Sequence, residues 1–224
     1  MTSPRKRVVV FISGGGSNMM ALVAAAKAPD FPAEIVGVIS DKPDAGGLAK
    51  AAAESIATFA FPRKDYASKE AHEEAIFAAL DALSPDILCL AGYMRLLSGT
   101  FIQRYEGKMI NIHPSLLPLF PGLHTHQRAI DAGMRIAGCT VHFVTEGMDE
   151  GPVIGQAAVP VLSDDTADTL AGRVLTVEHK IYPQALRLFA EGKVRMEGGK
   201  AVSIGDSAAS AADGKVISLI GTKA

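Results

Sequence analysis

The order of apolar segments predicts an α/β fold with an open, mostly parallel sheet and an antiparallel part toward the C-terminus. Three observations carry that prediction. Strand-length apolar runs alternate with helical patterns over the first half of the chain, the rhythm of a βαβ series. Some of these runs are apolar without interruption, as strands covered on both faces are. Beyond about residue 125 the alternation breaks, and two strands follow each other with only a turn-rich connection between them.

Residues 7–12 form a short β-branched run ending in glycines, and Met19-Met20-Ala-Leu-Val opens a helix. Residues 33–40 read as a strand, 46–55 as an alanine-rich helix, and 57–61 as a short strand closed by Pro62. Over 68–83, Ala75, Ile76, Ala79, Leu80 and Leu83 recur at helical spacing, with Ser68 as N-cap. Residues 86–91 are a strand, 101–105 a short helix and 108–113 the next strand. A short helix at 125–132 follows, then strands at 136–145 and 153–161, suited to antiparallel pairing. Residues 166–189 make a long helix with Leu170, Val174, Val177 and Ile181 on one face, and Pro183 is expected to kink it. Residues 194–196 and 200–204 form a small hairpin, and 206–213 read as flexible. The expected organisation is one domain over 1–195, with a hairpin and tail over 196–224.

The 224 residues suffice for one sizeable core. A formal charge of −2 and the lack of a basic stripe speak against a nucleic-acid partner. Arg5-Lys6-Arg7 is the only basic cluster and reads as a solvated start of the chain. No segment approaches the ~20 apolar residues that span a bilayer. Cys89 and Cys139 sit in apolar runs, as core residues in a reducing compartment do, so a cytoplasmic location is expected.

Ser13-Gly14-Gly15-Gly16-Ser17-Asn18 follows the first strand and opens the first helix. Glycines bring the backbone close to a ligand, and a helix start offers free N–H groups and partial positive charge, which together hold a phosphate. The Lys of a P-loop is missing, and the third glycine of Gly-x-Gly-x-x-Gly would fall on Met19, so neither triphosphate hydrolysis nor a dinucleotide is indicated. A glycine turn without a ligand is the alternative.

Met109-Ile-Asn111-Ile-His113-Pro-Ser-Leu-Leu-Pro118 places Asn111 and His113 on one face of a strand end. An amide donor beside an imidazole suits a reaction in which negative charge develops on oxygen and a proton moves. An ordinary hydrogen-bonded histidine is the alternative. Asp149, in a turn-rich loop, is either a carboxylate that orients the imidazole or a turn residue. His124, His126 and His142 invite a metal reading, but no Asp or Glu is placed to complete a set. They read instead as helix-end caps or as packing beside the site, and no metal is expected.

These residues resemble the phosphoribosylglycinamide formyltransferases, folate-dependent enzymes of purine synthesis. The blocks that carry the resemblance are Val10-Phe-Ile-Ser-Gly-Gly-Gly-Ser-Asn18, Leu90-Ala-Gly-Tyr-Met-Arg-Leu-Leu-Ser98, Asn111-Ile-His-Pro-Ser-Leu-Leu-Pro118 with Pro121-Gly-Leu-His-Thr-His126, and Val141-His-Phe-Val-Thr145 through Asp149-Glu-Gly-Pro-Val153. The similarity runs from about Arg7 to about Val194. It implies a Rossmann-like formyltransferase fold. It also implies transfer of a formyl group from 10-formyltetrahydrofolate to the amine of glycinamide ribonucleotide in IMP biosynthesis, by direct attack through a tetrahedral intermediate. Asn111, His113 and Asp149 resemble the catalytic trio. Gly16, Ser17 and Asn18 resemble the contacts to the ribonucleotide phosphate. Leu175, Thr176, Val177 and Glu178 of the long helix resemble substrate-binding residues, with Glu178 near the amine and ribose.

Met94, Arg95, Leu96 and Leu97, together with Thr145, Glu146, Gly147, Met148 and Asp149, resemble the folate walls, and the resemblance implies that Asn111 also contacts the folate. Lys69 stands where related sequences carry a folate-contacting Arg, keeping the charge and losing the planar fork. Gly15 stands where the family often has Asn. Leu96, Leu97, Met109 and Val144 are candidates for a pterin slot, and Thr140 is a candidate anchor for a proton-carrying water. The expected partners are the two substrates, with a homodimer allowed for. Three rivals share the core. A formyltetrahydrofolate hydrolase is expected to need an N-terminal regulatory domain, for which a first strand near Arg7 leaves no room. Methionyl-tRNA formyltransferase is expected to need a C-terminal nucleic-acid-binding domain and a basic surface. The third is a non-catalytic phosphate-binding module.

Overall fold

A computed structural model of the chain describes residues 4–204, 210–212 and 215–219. Its contacts divide the chain into two compact units, one up to Ile110 and one from Asn111.

In the first unit, β1 (Lys6–Ile12), β2 (Ala33–Ser40), β3 (Ala57–Ala60) and β4 (Ile87–Leu90) pair in parallel in the order β4-β1-β2-β3. β1 has a strand on each side and Val8–Ile12 are fully buried, which is why its sequence is apolar without alternation. Helices α1 (Ser17–Ala26), α2 (Gly46–Ala53), α3 (Lys69–Leu83) and α4 (Gly99–Arg104) lie along the chain between and after these strands. Ser68 caps α3 by accepting from Ala71 N–H, as its spacing predicts. Ser98 caps α4 by accepting from Phe101 N–H, so that helix starts two residues earlier than its apolar residues indicate. Phe11 meets Phe101 edge-on, and Phe77 stacks on Phe101. The chain leaves β1 for β2 and β3 on one side and returns to β4 on the other. The loop after β1 therefore sits where the strand order reverses, the usual ligand position of an open α/β sheet.

β5 (Met109–His113) carries the chain into the second unit, which adds α5 (Thr125–Asp131), β6 (Ile136–Phe143), β7 (Val153–Pro160) and α6 (Ala167–Ala190). β6 and β7 pair antiparallel, as expected. Leu170, Val174, Val177 and Ile181 form the buried stripe of α6, which packs on β6 and β7. Thr166 and Thr169 make a reciprocal capping box at its start. Pro183 lies inside α6, and the helix continues past it as one element. The hairpin of β8 (Val194–Glu197) and β9 (Lys200–Ser203) falls where the sequence predicts it. β10 (Ser210–Ala212) and β11 (Lys215–Leu219) are additional, with β11 pairing antiparallel to β7. Of the stretch 206–213 read as flexible, 210–212 are β10 and the rest lies outside the described residues. Among the described residues, no helix is long and apolar enough to cross a membrane.

Gly138 in β6 has no room for a side chain, since a Cβ there would lie 1.9 Å from the Ala157 carbonyl oxygen. Gly138→Ala is expected to destabilise the protein by about 1–3 kcal/mol, seen as a lower urea midpoint. An unchanged midpoint would contradict so close a β6–β7 approach.

Candidate active site

Asn111 and His113 project from the end of β5, with His113 buried and Asn111 half-buried. The loop that follows, residues 114–124, is held from several sides. Thr140 Oγ1 donates to the Ser115 carbonyl (2.7 Å) and accepts from Leu117 N–H (3.0 Å) and Gln156 Nε2 (3.1 Å). Gln156 also donates to the Leu117 carbonyl at 2.8 Å. The one proton and both lone pairs of the Thr140 hydroxyl are thus used, and the side chain is fully buried. Thr140 anchors this loop and cannot anchor a water, contrary to expectation. Farther along, Arg128 of α5 donates to the Pro121 and Leu123 carbonyls and lies over the Phe120 ring.

This scaffolding returns residues 120–122 to His113. The ring Nε2–H donates to the Phe120 carbonyl at 3.0 Å, and Nδ1 stands 3.3 Å from Asp149 Oδ2. The same carboxylate oxygen accepts from Gly122 N–H at 2.8 Å. Both ring nitrogens thus face oxygen atoms, Nε2 that of a backbone carbonyl and Nδ1 that of a carboxylate. Phe120 and Asp149 take left-handed φ values of 54° and 58°, uncommon outside glycine. The loop bearing Asp149 closes where Phe143 N–H donates to the Pro152 carbonyl at 2.9 Å. That closure needs Gly151, where a Cβ would sit 1.7 Å from the Phe143 carbonyl oxygen. Asp149 lines a cleft of about 360 Å³ with Leu117, Pro118, Pro121, Glu150, Gly151 and Val153, a size that suits a small organic ligand.

His142 was grouped by sequence with residues that cap or pack, and it has a definite partner. Asn111 Nδ2 donates to His142 Nε2 at 3.1 Å, and His142 Nδ1–H donates to the Phe143 carbonyl at 2.8 Å. Burial pushes the His142 imidazole below its ordinary pKa. The signal was present in the sequence, because Thr140 and His142 are the two polar residues at alternate positions of an otherwise apolar strand. His124 precedes α5 in a left-handed conformation and makes no side-chain cap. His126 is half-buried with Nε2 unpartnered, and its pKa is lowered by burial and then by the nearby His113. Among the described residues, no three His, Cys, Asp or Glu side chains group as metal ligands.

Other assigned residues sit as follows. In the first unit, Lys50 Nζ donates to the Gly15 carbonyl (2.8 Å) and Gly47 N–H to the Gly14 carbonyl (3.0 Å). These bonds turn the loop carbonyls toward α2, while Gly16, in a left-handed conformation, opens α1 and its Ser17 and Asn18. Ser13 Oγ–H donates to Asp41 (2.5 Å) and accepts from Met94 N–H (2.8 Å). Lys69, Arg95, Leu96 and Leu97 line one small cavity with Tyr93, whose hydroxyl burial pushes up, while Met94 stays outside its wall. Glu73 accepts from Ser98 N–H and Oγ–H, fixing the end of this segment.

In the second unit, Thr145 and Gly147 are half-buried and Glu146 and Met148 exposed. Met109 is fully buried as core and open to no slot. On α6, Val177 belongs to the buried stripe, Thr176 is exposed with its hydroxyl on the Arg173 carbonyl, Leu175 is half-buried and Glu178 buried. Successive helical positions lie about 100° apart, so residues 175–178 cannot present four side chains to one ligand, and only Leu175 and Glu178 share a face.

A family model described as formyl transferase matches residues 6–186. The chain belongs to the formyl transferase family. It is 44% identical to the phosphoribosylglycinamide formyltransferase of Escherichia coli (strain K12) over 84% of this chain and 89% of that protein. It is 50% identical to the trifunctional purine biosynthetic protein adenosine-3 of Bos taurus over 86% of this chain, which spans only 19% of that much longer protein. The crystal structure of phosphoribosylglycinamide formyltransferase from Brucella melitensis matches with a TM-score of 0.81 and 70% identity, over 89% of this chain and 100% of that one. The mixed α/β fold expected from the sequence is that of these formyl transferases.

In this family member, burial lowers the pKa values of His126, His142 and His179. Each ring binds a proton more weakly folded than unfolded. Their contribution to stability is therefore complete above the ordinary imidazole pKa and is lost as pH falls below it. The urea midpoint should drop between about pH 7.5 and about pH 5.5. A midpoint that rises across that window would contradict neutral burial of these rings.

Proposed function

We propose that this chain transfers a formyl group from 10-formyltetrahydrofolate to the amine of glycinamide ribonucleotide, a step of IMP biosynthesis. The observation that carries the reading is the Asn111–His113–Asp149 arrangement beside a cleft, in a member of the formyl transferase family. Folate is a co-substrate, and the chemistry asks for no metal.

The amine attacks the formyl carbon, a C–N bond forms, and the carbonyl electron pair moves onto oxygen. Because His113 Nε2–H is given to the Phe120 carbonyl, the neutral donor to the new oxyanion is the Asn111 amide. His113 acts through its positive charge, paired with Asp149. Collapse of the tetrahedral intermediate breaks the bond to the folate nitrogen, which takes up the proton the amine gives away. Asp149 Oδ2 is engaged by Gly122 and His113, whereas Oδ1 accepts no hydrogen bond among the described residues and stands 3.9 Å from His142 Nε2. A water on Oδ1 is the proposed carrier of that proton. Gly16, Ser17 and Asn18 at the start of α1 are assigned to the ribonucleotide phosphate. Two buried thiols fit a reducing compartment, and the proposed location is the cytoplasm.

The test mixes purified protein and 10-formyltetrahydrofolate with and without glycinamide ribonucleotide. Release of tetrahydrofolate only with the ribonucleotide supports transfer. Release without it makes the chain a hydrolase, and no release leaves a binding module. Asn111→Ala should lose about 10²–10³-fold in kcat with ribonucleotide binding kept, and near-normal turnover would contradict the assignment. His113→Ala and Asp149→Asn should combine with much less than additive loss, since the two side chains act as a unit.

A further inference from the structure

We propose that His142 is a positioning residue: its ring accepts a hydrogen bond from the Asn111 amide and so decides which end of that amide serves the reacting oxygen. This deepens the formyl-transfer reading and rests on it. A carboxamide has nearly the same shape after a half-turn about its last bond, but donor and acceptor exchange places. An Asn111 turned the wrong way would aim a carbonyl oxygen at a developing oxyanion and repel it. Strand geometry cannot make that choice, so a partner must.

His142 Nδ1 faces the Phe143 carbonyl at 2.8 Å and therefore carries the ring proton. Nε2 is then a lone pair, and the group 3.1 Å from it must be the NH2 end of Asn111. One N–H goes to His142 and the second remains for the substrate. A doubly protonated His142 would reverse the choice, because Nε2–H would call for Oδ1. The surroundings oppose that state. The ring is 3% exposed, and burial pushes its imidazole down, with His113 adding to that, while the Phe143 hydrogen bond and the Asp149 charge pull the other way without outweighing burial. Asp149 Oδ1 stands 3.9 Å from Nε2, beyond hydrogen-bond reach. The Phe143 backbone that holds Nδ1–H is itself tied to Pro152. The order of control thus runs from the Phe143 backbone to the His142 tautomer to the Asn111 amide.

Two substitutions divide the ring's two contacts. In His142→Gln the side-chain oxygen reaches the position of Nε2, so the acceptor for Asn111 is kept and the Phe143 contact is lost. In His142→Asn the amide reaches only the position of Nδ1, so the Phe143 contact is kept and the acceptor is lost. His142→Asn should lower kcat at least about tenfold with KM for both substrates within about twofold, and His142→Gln should retain most of kcat. In an Asn111→Ala background, His142→Asn should add no further loss. Equal losses in the two variants, or an undiminished loss in the Asn111→Ala background, would overturn the proposal, as a merely structural role predicts both. Independently of any turnover, ¹⁵N NMR of the wild-type ring should show Nδ1 protonated and Nε2 bare at neutral pH. A protonated Nε2 would overturn the proposal even if formyl transfer is observed, whereas a wild type that transfers no formyl group would overturn the functional reading alone.

Discussion

One carboxylate oxygen of Asp149 receives the Gly122 N–H at 2.8 Å and faces His113 Nδ1 at 3.3 Å, and both loops of the site are arranged around it. A carboxylate withdrawn this far from water is costly unless donors meet it. Here the donors come from the turn after β5 and from the strand that precedes it, while Asp149 comes from the loop after β6. Bringing them together obliges Phe120 and Asp149 to adopt left-handed backbone and leaves no place for a Cβ at Gly151. Such conformations persist when their surroundings over-determine them. Thr140, Gln156 and Arg128 do so by binding the carbonyls and amide of the 114–124 loop from β6, β7 and α5.

The second unit therefore separates rigid support from chemistry. The antiparallel β6–β7 pair, covered by the buried stripe of α6, fixes where Thr140, His142 and Gln156 stand. The proposed reactive groups occupy strand ends and loops, and hydrogen bonds from β6, β7 and α5 hold the loop beside them. Within the first unit the same division holds: Val8–Ile12 of β1 are fully buried, and the glycine loop at its end is shaped by Lys50, Gly47 and the Ser13–Asp41 contact.

Much of this was legible in the sequence because it follows from periodicity. The alternation of strands and helices, the antiparallel pair near the end, the stripe from Leu170 to Ile181 and the Ser68 cap all rest on local patterns. Asn111 and His113 share a face because strand residues alternate. Their side-chain partners His142 and Asp149 are another matter, since those contacts depend on chain returning across 31 residues or more. The Asp149–His113 approach could only be conjectured, and His142 showed itself only as a polar residue in an apolar run. Thr140 was misread as a water anchor because the count of partners on its hydroxyl exists only in three dimensions. β11 carries a short apolar run, Val216-Ile217-Ser218-Leu219, but its pairing partner β7 lies more than 50 residues earlier in the chain, where no local pattern points to it. The segment 175–178 was assigned to the substrate as a whole, and helix geometry spreads its four side chains over different faces, with Leu175 and Glu178 on a shared one.

The most direct test is a crystal structure with a stable tetrahedral analogue of the formyl-transfer intermediate bound. Formyl transfer at this site predicts an adduct oxygen within about 3 Å of Asn111 Nδ2, with the His113–Asp149 pair intact beside it. An adduct whose oxygen lies away from Asn111, or a site in which Asp149 has left His113 to bind it, would contradict that reading.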